Sequence, residues 1–193
     1  MNFLSHLYLS GDSEGLLIGN FIADSVKGNA FNDFSPEIQK GILLHRKIDT
    51  YTDSHPIVGE SKKRLREKYK KYASVIVDIY YDHFLAANWN DYSSESLEKY
   101  TKRIYALVEQ NKDLLPTKSQ LFAKYMMKYN ILHAYAQLDG IERVMQGMAG
   151  RTTFESNMEH SVHDLKEHYH LFENEFRLFF PELQQFVNIQ LEI

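Results

Sequence analysis

Between Ala73 and Trp89 the sequence stays apolar on almost every side of a helix, with Val75, Ile76, Val77, Ile79, Tyr80, Tyr81, Phe84 and Leu85 leaving no continuous polar face. A helix of that kind has no surface to give to solvent and belongs at the centre of a bundle, so other helices must surround it. Periodicity supplies them. It predicts helices over Asn2–Ser10 and Glu14–Val26, with Gly28-Asn29 as a stop, and over Ser35–Asp53, with Pro36 as the first helical residue. Pro56 opens a basic helix whose apolar stripe is Val58, Leu65, Tyr69 and Tyr72. Further helices are predicted at Ser94–Asn111, Thr117–Ala136, Asp139–Met148, Thr153–Phe179 and Pro181–Leu191, with Thr117 and Gln120 as a capping box and Gly150 at a C′ position. Nine glycines and four prolines in 193 residues leave little material for a loop-rich β fold. The expectation is all-α: one helical bundle domain over residues 1–193, with no repeat and no dividing linker.

Where the polar residues fall is more informative than how many there are. At about 100° per residue from Ile38, Ile42 lies near +40°, His45 near −20°, Asp49 near +20° and Thr52 near −40°. His45 and Asp49 thus share the stripe of two isoleucines that must face the core. The spacing of four recurs as Asn20 and Asp24, as Asp78 and Asp82 followed at once by His83, and as Asn2 and His6. Four early helices each offer a polar rung to a shared interior. Burying ionised carboxylates costs several kcal/mol per ion unless they are paired or coordinated, and Asp78 and Asp82 also repel each other. A divalent cation offsets both effects. His45 and Asp49 facing Asp82-His83 are therefore read as a metal site, while a lone inward His6 reads as a hydrogen-bonded core residue and Asp78 equally well as a capping or pairing group.

The absence of cysteine removes thiolate sites, disulfides and a Cys nucleophile. Any metal must rest on His, Asp, Glu, carbonyl or water, a set that suits Mn, Fe, Mg or Zn. His160, His163, Asp164, His168 and His170 form the densest histidine cluster, but Glu159, Lys166 and Glu167 around them mark a solvated face. No G-x-S-x-G, phosphate-cradling loop or dinucleotide fingerprint is present. MNFLSHLYLS has neither a basic n-region nor a cleavage site, and no apolar run would span a bilayer, so the cytoplasm is the expected location.

Several stretches taken together resemble the bacterial acyl carrier protein phosphodiesterase (ACP hydrolase) family. They are Asn2-Phe3-Leu4-x-His6-Leu7, Gly19-Asn20, Ala23-Asp24, Val26-x-Gly28-Asn29, Gly41-Ile42, His45-Arg46-x-Ile48-Asp49, Thr52-Asp53, Asp82-His83-Phe84-Leu85 and Gly147-Met148-Ala149. The resemblance covers the chain and is densest from residue 2 to 85. It implies a helical fold related to the HD-domain phosphohydrolases, with Asp82-His83 reversed from the usual His-Asp order, and a divalent metal, manganese above Mg, Fe or Zn. The implied reaction is hydrolysis of the phosphodiester between 4′-phosphopantetheine and the serine of holo-acyl carrier protein.

On that reading Asp24, His45, Asp49, Asp82 and His83 hold the metal, with His6 as a further ligand or supporting group. Arg46 or Lys27 would stabilise added negative charge, and His6, His55 or water would protonate the leaving serine. Seven basic residues, Lys62, Lys63, Arg64, Arg66, Lys68, Lys70 and Lys71, stand against Glu67 alone in a chain of net charge −4. This points to a local anionic partner better than to general nucleic-acid binding, and an acidic carrier protein fits it. A small-phosphoester hydrolase and a non-catalytic adaptor for an acidic protein are the competing readings. Oligomeric state is left open.

Overall fold

The structure, a computed structural model, describes residues 1–192. Eleven α-helices and no strand are found among them. In chain order they are α1 (Phe3–Leu9), α2 (Glu14–Ile22), α3 (Pro36–Ser54), α4 (Pro56–Tyr69), α5 (Ala73–Ala87), α6 (Leu97–Gln110), α7 (Thr117–Lys128), α8 (Ile131–Ala134), α9 (Leu138–Ala149), α10 (Ser161–Glu167) and α11 (Tyr169–Glu192). No helix is long and apolar enough to cross a membrane.

The apolar segment that dominates the sequence is α5, and it lies in the middle. Ile76, Val77, Ile79, Tyr80, Tyr81, Phe84 and Leu85 are wholly enclosed. α1, α4, α9 and α11 pack against it. Its tyrosines keep their hydroxyls satisfied inside the core, Tyr80 donating to the Ser161 carbonyl at 2.5 Å and Tyr81 sharing a 2.8 Å bond with the Ser61 hydroxyl. From α11 come Phe172, Phe176, Phe179, Phe180 and Leu183, all fully buried.

α2 and α3 make the tightest helix pair. Gly15 meets Glu37, Gly19 meets Ile38 and Gly41, and Asn20 meets Gly41, so the contacts advance together and the two helices run side by side in one direction. Their backbones nearly touch. A Cβ on Gly19 would sit 2.1 Å from the Ile38 carbonyl oxygen, and one on Gly41 would sit 2.4 Å from that of Leu16. Only glycine allows such an approach, and it brings Asn20 within reach of His45.

Six details of the helix ends and breaks differ from expectation. The helix predicted over Thr117–Ala136 breaks at Asn130, whose φ of 48° is left-handed, giving α7 and α8. The capping box does not form: Pro116 precedes the helix, and the Gln120 amide donates instead to the Leu115 carbonyl. Gly150 ends α9 with φ −66°, so its backbone needs no glycine. Residues 153–157 are not helical, His168 separates α10 from α11, and α11 continues through Pro181. A proline removes one helical donor, but α11 is held on both sides of it by the buried faces of Phe176, Phe180 and Leu183.

Candidate metal centre

Three helices and one turn converge where α2 and α3 meet α1. His6 comes from α1, Asn20 from α2, Asp24 from the 3-10 turn Ala23–Ser25, and His45 and Asp49 from α3. His6 Nε2 lies 3.0 Å from Asp49 Oδ1, and His45 Nε2 lies 3.2 Å from Asp49 Oδ2 and 3.4 Å from Asp24 Oδ1. The two imidazoles are stacked, centroids 3.9 Å apart and planes within 11°. One donor atom from each of His6, His45 and Asp49 falls within 4.8 Å of the others, the only such His/Asp/Glu grouping among the described residues.

A second layer fixes these groups. His45 Nδ1 is 3.0 Å from the Asn20 carbonyl oxygen and 2.9 Å from Asn20 Oδ1. The Asn20 amide nitrogen donates to the His6 carbonyl at 3.0 Å and to Ser10 Oγ at 2.9 Å, which sets which end of the amide faces His45. With Nδ1 committed as a donor, Nε2 of neutral His45 turns its lone pair toward the carboxylates. The inward position of Asn20, noted in the sequence as half of a polar rung, has this physical reason.

Burial and the neighbouring His45 hold His6 down to a pKa of about 4. Burial works in the same direction on His45, but its hydrogen bonds to the Asp24 and Asp49 carboxylates, which accept them, outweigh it and raise the group to about 9. Burial opposes ionisation of Asp49, yet its contacts with His45 and His6 keep it well below the usual carboxylate range. Asp24 is lowered by its hydrogen bond with His45. His6 Nδ1 is buried without a hydrogen-bond partner. Two imidazoles and two carboxylates held at this spacing, one with an orphaned ring nitrogen, are donor chemistry that fits a divalent cation.

Two of the expected ligands stand elsewhere. Asp82 is fully buried, but Oδ2 accepts the Leu4 N–H at 2.8 Å, and Oδ1 accepts the Ser5 N–H at 3.0 Å and the Ser5 hydroxyl at 2.5 Å. It therefore caps the first turn of α1 from a different helix. Desolvation pushes its pKa up to about 6 despite these donors. His83 has both ring nitrogens engaged, Nδ1 with the Tyr135 carbonyl at 2.7 Å and Nε2 with the Tyr169 hydroxyl at 3.0 Å. Asp78 pairs with the Met1 ammonium at 3.2 Å. Conversely His6, expected as a further ligand or supporting group and as a candidate proton donor, sits among the three donors that meet.

The expected catalytic cations are also placed differently. Arg46 donates to the carbonyls of Val26 and Gly28 at 3.0 Å each and lies over the Phe31 ring, so it ties down the loop that carries exposed Lys27. His55 is held by Glu182 at 3.2 Å. Beside Asp24 a cleft of about 450 Å³ opens between α2 and α7, and its cations are Lys118 and Arg151. Arg151 packs over Tyr125 at 4.5 Å and shares the cleft's inner wall of Phe3, Phe122 and Tyr125 with an apolar cavity of about 310 Å³ behind it. Sequence reasoning missed both cations; isolated in helix and loop, they look like any solvated charge.

The basic helix is less basic than it reads. Lys62 pairs with Asp53, Lys63 with Glu60, Arg64 with Glu175 through both guanidinium nitrogens, and Lys68 with Asp164. Of the seven, Arg66, Lys70 and Lys71 have no carboxylate partner among the described residues, and Lys71 leans on the rings of Tyr72 and Phe154. In the C-terminal histidine cluster Asp164 serves Lys68 and Tyr69, while His160, His163 and His170 are exposed.

The model of one protein family, described as acyl carrier protein phosphodiesterase, matches residues 1–183. The acyl carrier protein phosphodiesterase of Yersinia enterocolitica is 35% identical over 184 residues, 95% of each chain. That of Serratia proteamaculans is 33% identical over 186 residues and that of Escherichia coli O6:H1 is 35% identical over 189, each covering 96% of both chains. No solved structure matches.

Proposed function

From the premise that this chain belongs to the acyl carrier protein phosphodiesterase family, we propose that it hydrolyses the phosphodiester joining 4′-phosphopantetheine to the serine of holo-acyl carrier protein, giving apo-carrier and free phosphopantetheine. The observation that carries the reading is the meeting of His6, His45 and Asp49 beside a cleft that has two cations and an apolar wall. These three residues, with Asp24 at the rim, would hold a divalent cation, manganese on the family resemblance. Such an ion polarises a phosphoryl oxygen and makes water acidic enough to supply a nucleophile near neutral pH.

The protein's own groups do the rest. Asn20 holds His45 in the tautomer that leaves Nε2 available. Arg151 and Lys118 place positive charge where the phosphodiester oxygens enter, a role the sequence had assigned to Arg46 or Lys27. His6 belongs to the cluster and His55 to Glu182, so the proton for the leaving serine comes from water.

Incubation of the purified protein and Mn with holo-carrier tests the reaction. The expected result is an intact-mass decrease of the carrier equal to its phosphopantetheine group, with no hydrolysis across a panel of nucleotides. An unchanged carrier mass in the presence of Mn, Mg, Fe and Zn defeats the proposal.

Proton release tests the ligand set separately. At pH 7 metal-free His45, near 9, carries its second proton, while His6, near 4, does not. A cation must displace the proton from His45, so binding at neutral pH is expected to release about one proton and to tighten as pH rises toward that of His45. Calorimetry in buffers of different ionisation enthalpy reads the stoichiometry directly. Binding without proton release would exclude His45 as a ligand.

A further inference from the structure

α7 contains Lys118, Lys124 and Lys128 and no acidic residue. At about 100° per residue these lysines share an arc of roughly 120° with Leu121 and Tyr125. Ser119, Ala123 and Met126 form the opposite, buried face. Among the described residues none of the three lysines has a carboxylate within ion-pair distance, in contrast to the neutralised cations of α4. Leu121 stands in the middle of the basic face, 64% exposed. A large aliphatic group left in water among unpaired cations matches the anatomy of a binding surface, in which an apolar anchor is ringed by charge.

The position of this face gives it a purpose. Lys118 and Leu121 form the α7 side of the cleft that contains Asp24, with Arg151 also in its wall. A partner lying along α7 would therefore present whatever projects from its surface directly into the cleft. Unpaired lysines complement an acidic surface, and they steer its approach before contact is made. The cations of α4 line no part of this cleft: α4 packs on α3, α5 and α11, and four of its five cations, Arg66 excepted, pair with acids of the same chain.

We infer that the exposed face of α7, and not the basic helix α4, is the docking surface for the acidic carrier protein, with Leu121 as its apolar anchor and Lys124 and Lys128 as its charge-matching groups. The inference rests on the proposed reaction for the identity of the partner, but its test does not depend on turnover. Binding of apo-carrier, which has no arm to hydrolyse, is measured by fluorescence anisotropy over a range of salt concentrations.

The double variant Lys124→Glu/Lys128→Glu is expected to bind about tenfold more weakly, with a flatter salt dependence, and Leu121→Asp to lose a similar factor at all salt concentrations. With holo-carrier the Lys124→Glu/Lys128→Glu variant should raise KM and leave kcat within about twofold, since neither side chain belongs to the metal cluster or lines the cleft. Circular dichroism and thermal melts confirm folding of variants that alter only exposed positions. Wild-type affinity and salt slope in the double variant would overturn the inference. So would weakened binding in Arg66→Glu/Lys70→Glu alone, or a loss confined to anionic lipid vesicles. Tight carrier binding without hydrolysis would instead sink the proposed reaction and leave the docking surface standing.

Discussion

Asp49→Ala is expected to lower turnover of holo-carrier by about 10³-fold and to abolish stoichiometric metal binding, while the protein remains folded. The size follows from removing the one carboxylate that bridges both imidazoles: a bound cation's stabilisation of phosphoryl charge is worth several kcal/mol, and each 1.36 kcal/mol is about tenfold in rate. Folding should survive because the Asp49 side chain is 41% exposed and lies at the rim of the bundle. Asp49→Asn gives the sharper control. It preserves shape and one acceptor but removes the charge that holds His45 near 9, so metal affinity should fall and the proton released on binding should diminish with it. Elemental analysis, calorimetry and the intact-mass assay read the three effects. If the Asp49→Ala protein is metallated and active, the cluster is not the catalytic centre.

Asp82→Ala is expected to do the opposite, costing stability more than metal. Truncation leaves the N–H groups of Leu4 and Ser5 and the Ser5 hydroxyl without their acceptor inside the core. Each buried unsatisfied group costs about 1–3 kcal/mol, so a total near 4 kcal/mol is reasonable. For a domain of this size that is a fall in Tm of about 10 °C. Asp82→Asn, which retains one acceptor oxygen, should lose less. Below its lowered Tm the alanine variant should still bind a cation through His45, Asp49 and Asp24, though more weakly because α1 carries His6. A variant that melts like wild type but has lost its metal would restore Asp82 to the ligand set.

This pair of residues also shows where sequence reading stops. A carboxylate inside an apolar helix announces that something must compensate it, and that much was legible for both Asp49 and Asp82. What compensates it was not: two imidazoles at Asp49 and the first turn of a neighbouring helix at Asp82 answer the same electrostatic demand. The partner of Asp82 lies 78 residues away at Leu4, and no local spacing encodes it. The same distance problem misled the reading of α4, because the acids that neutralise Arg64 and Lys68 are Glu175 and Asp164, on helices more than 90 residues later.

The fold was legible where periodicity and burial agree, as in α3 and α5, and less so where one residue overrides its neighbours. Asn130 breaks an otherwise continuous apolar repeat by adopting a left-handed conformation, while Pro181, a strong stop signal, is carried through because its helix is buried on either side. His6 was under-rated for a related reason. A single inward histidine in a seven-residue helix has many ordinary explanations, and only the stacking on His45 distinguishes it.

The capping of α1 by Asp82 has a consequence for synthesis. α1 is made before α5, yet seven residues are too few to persist as a helix in water, and the carboxylate that anchors its first turn belongs to α5. Until translation has passed that point, nascent His6 has no fixed position and the cation-binding group is incomplete. On the proposed reading, the full set of candidate ligands would come together only after the middle helix has been made.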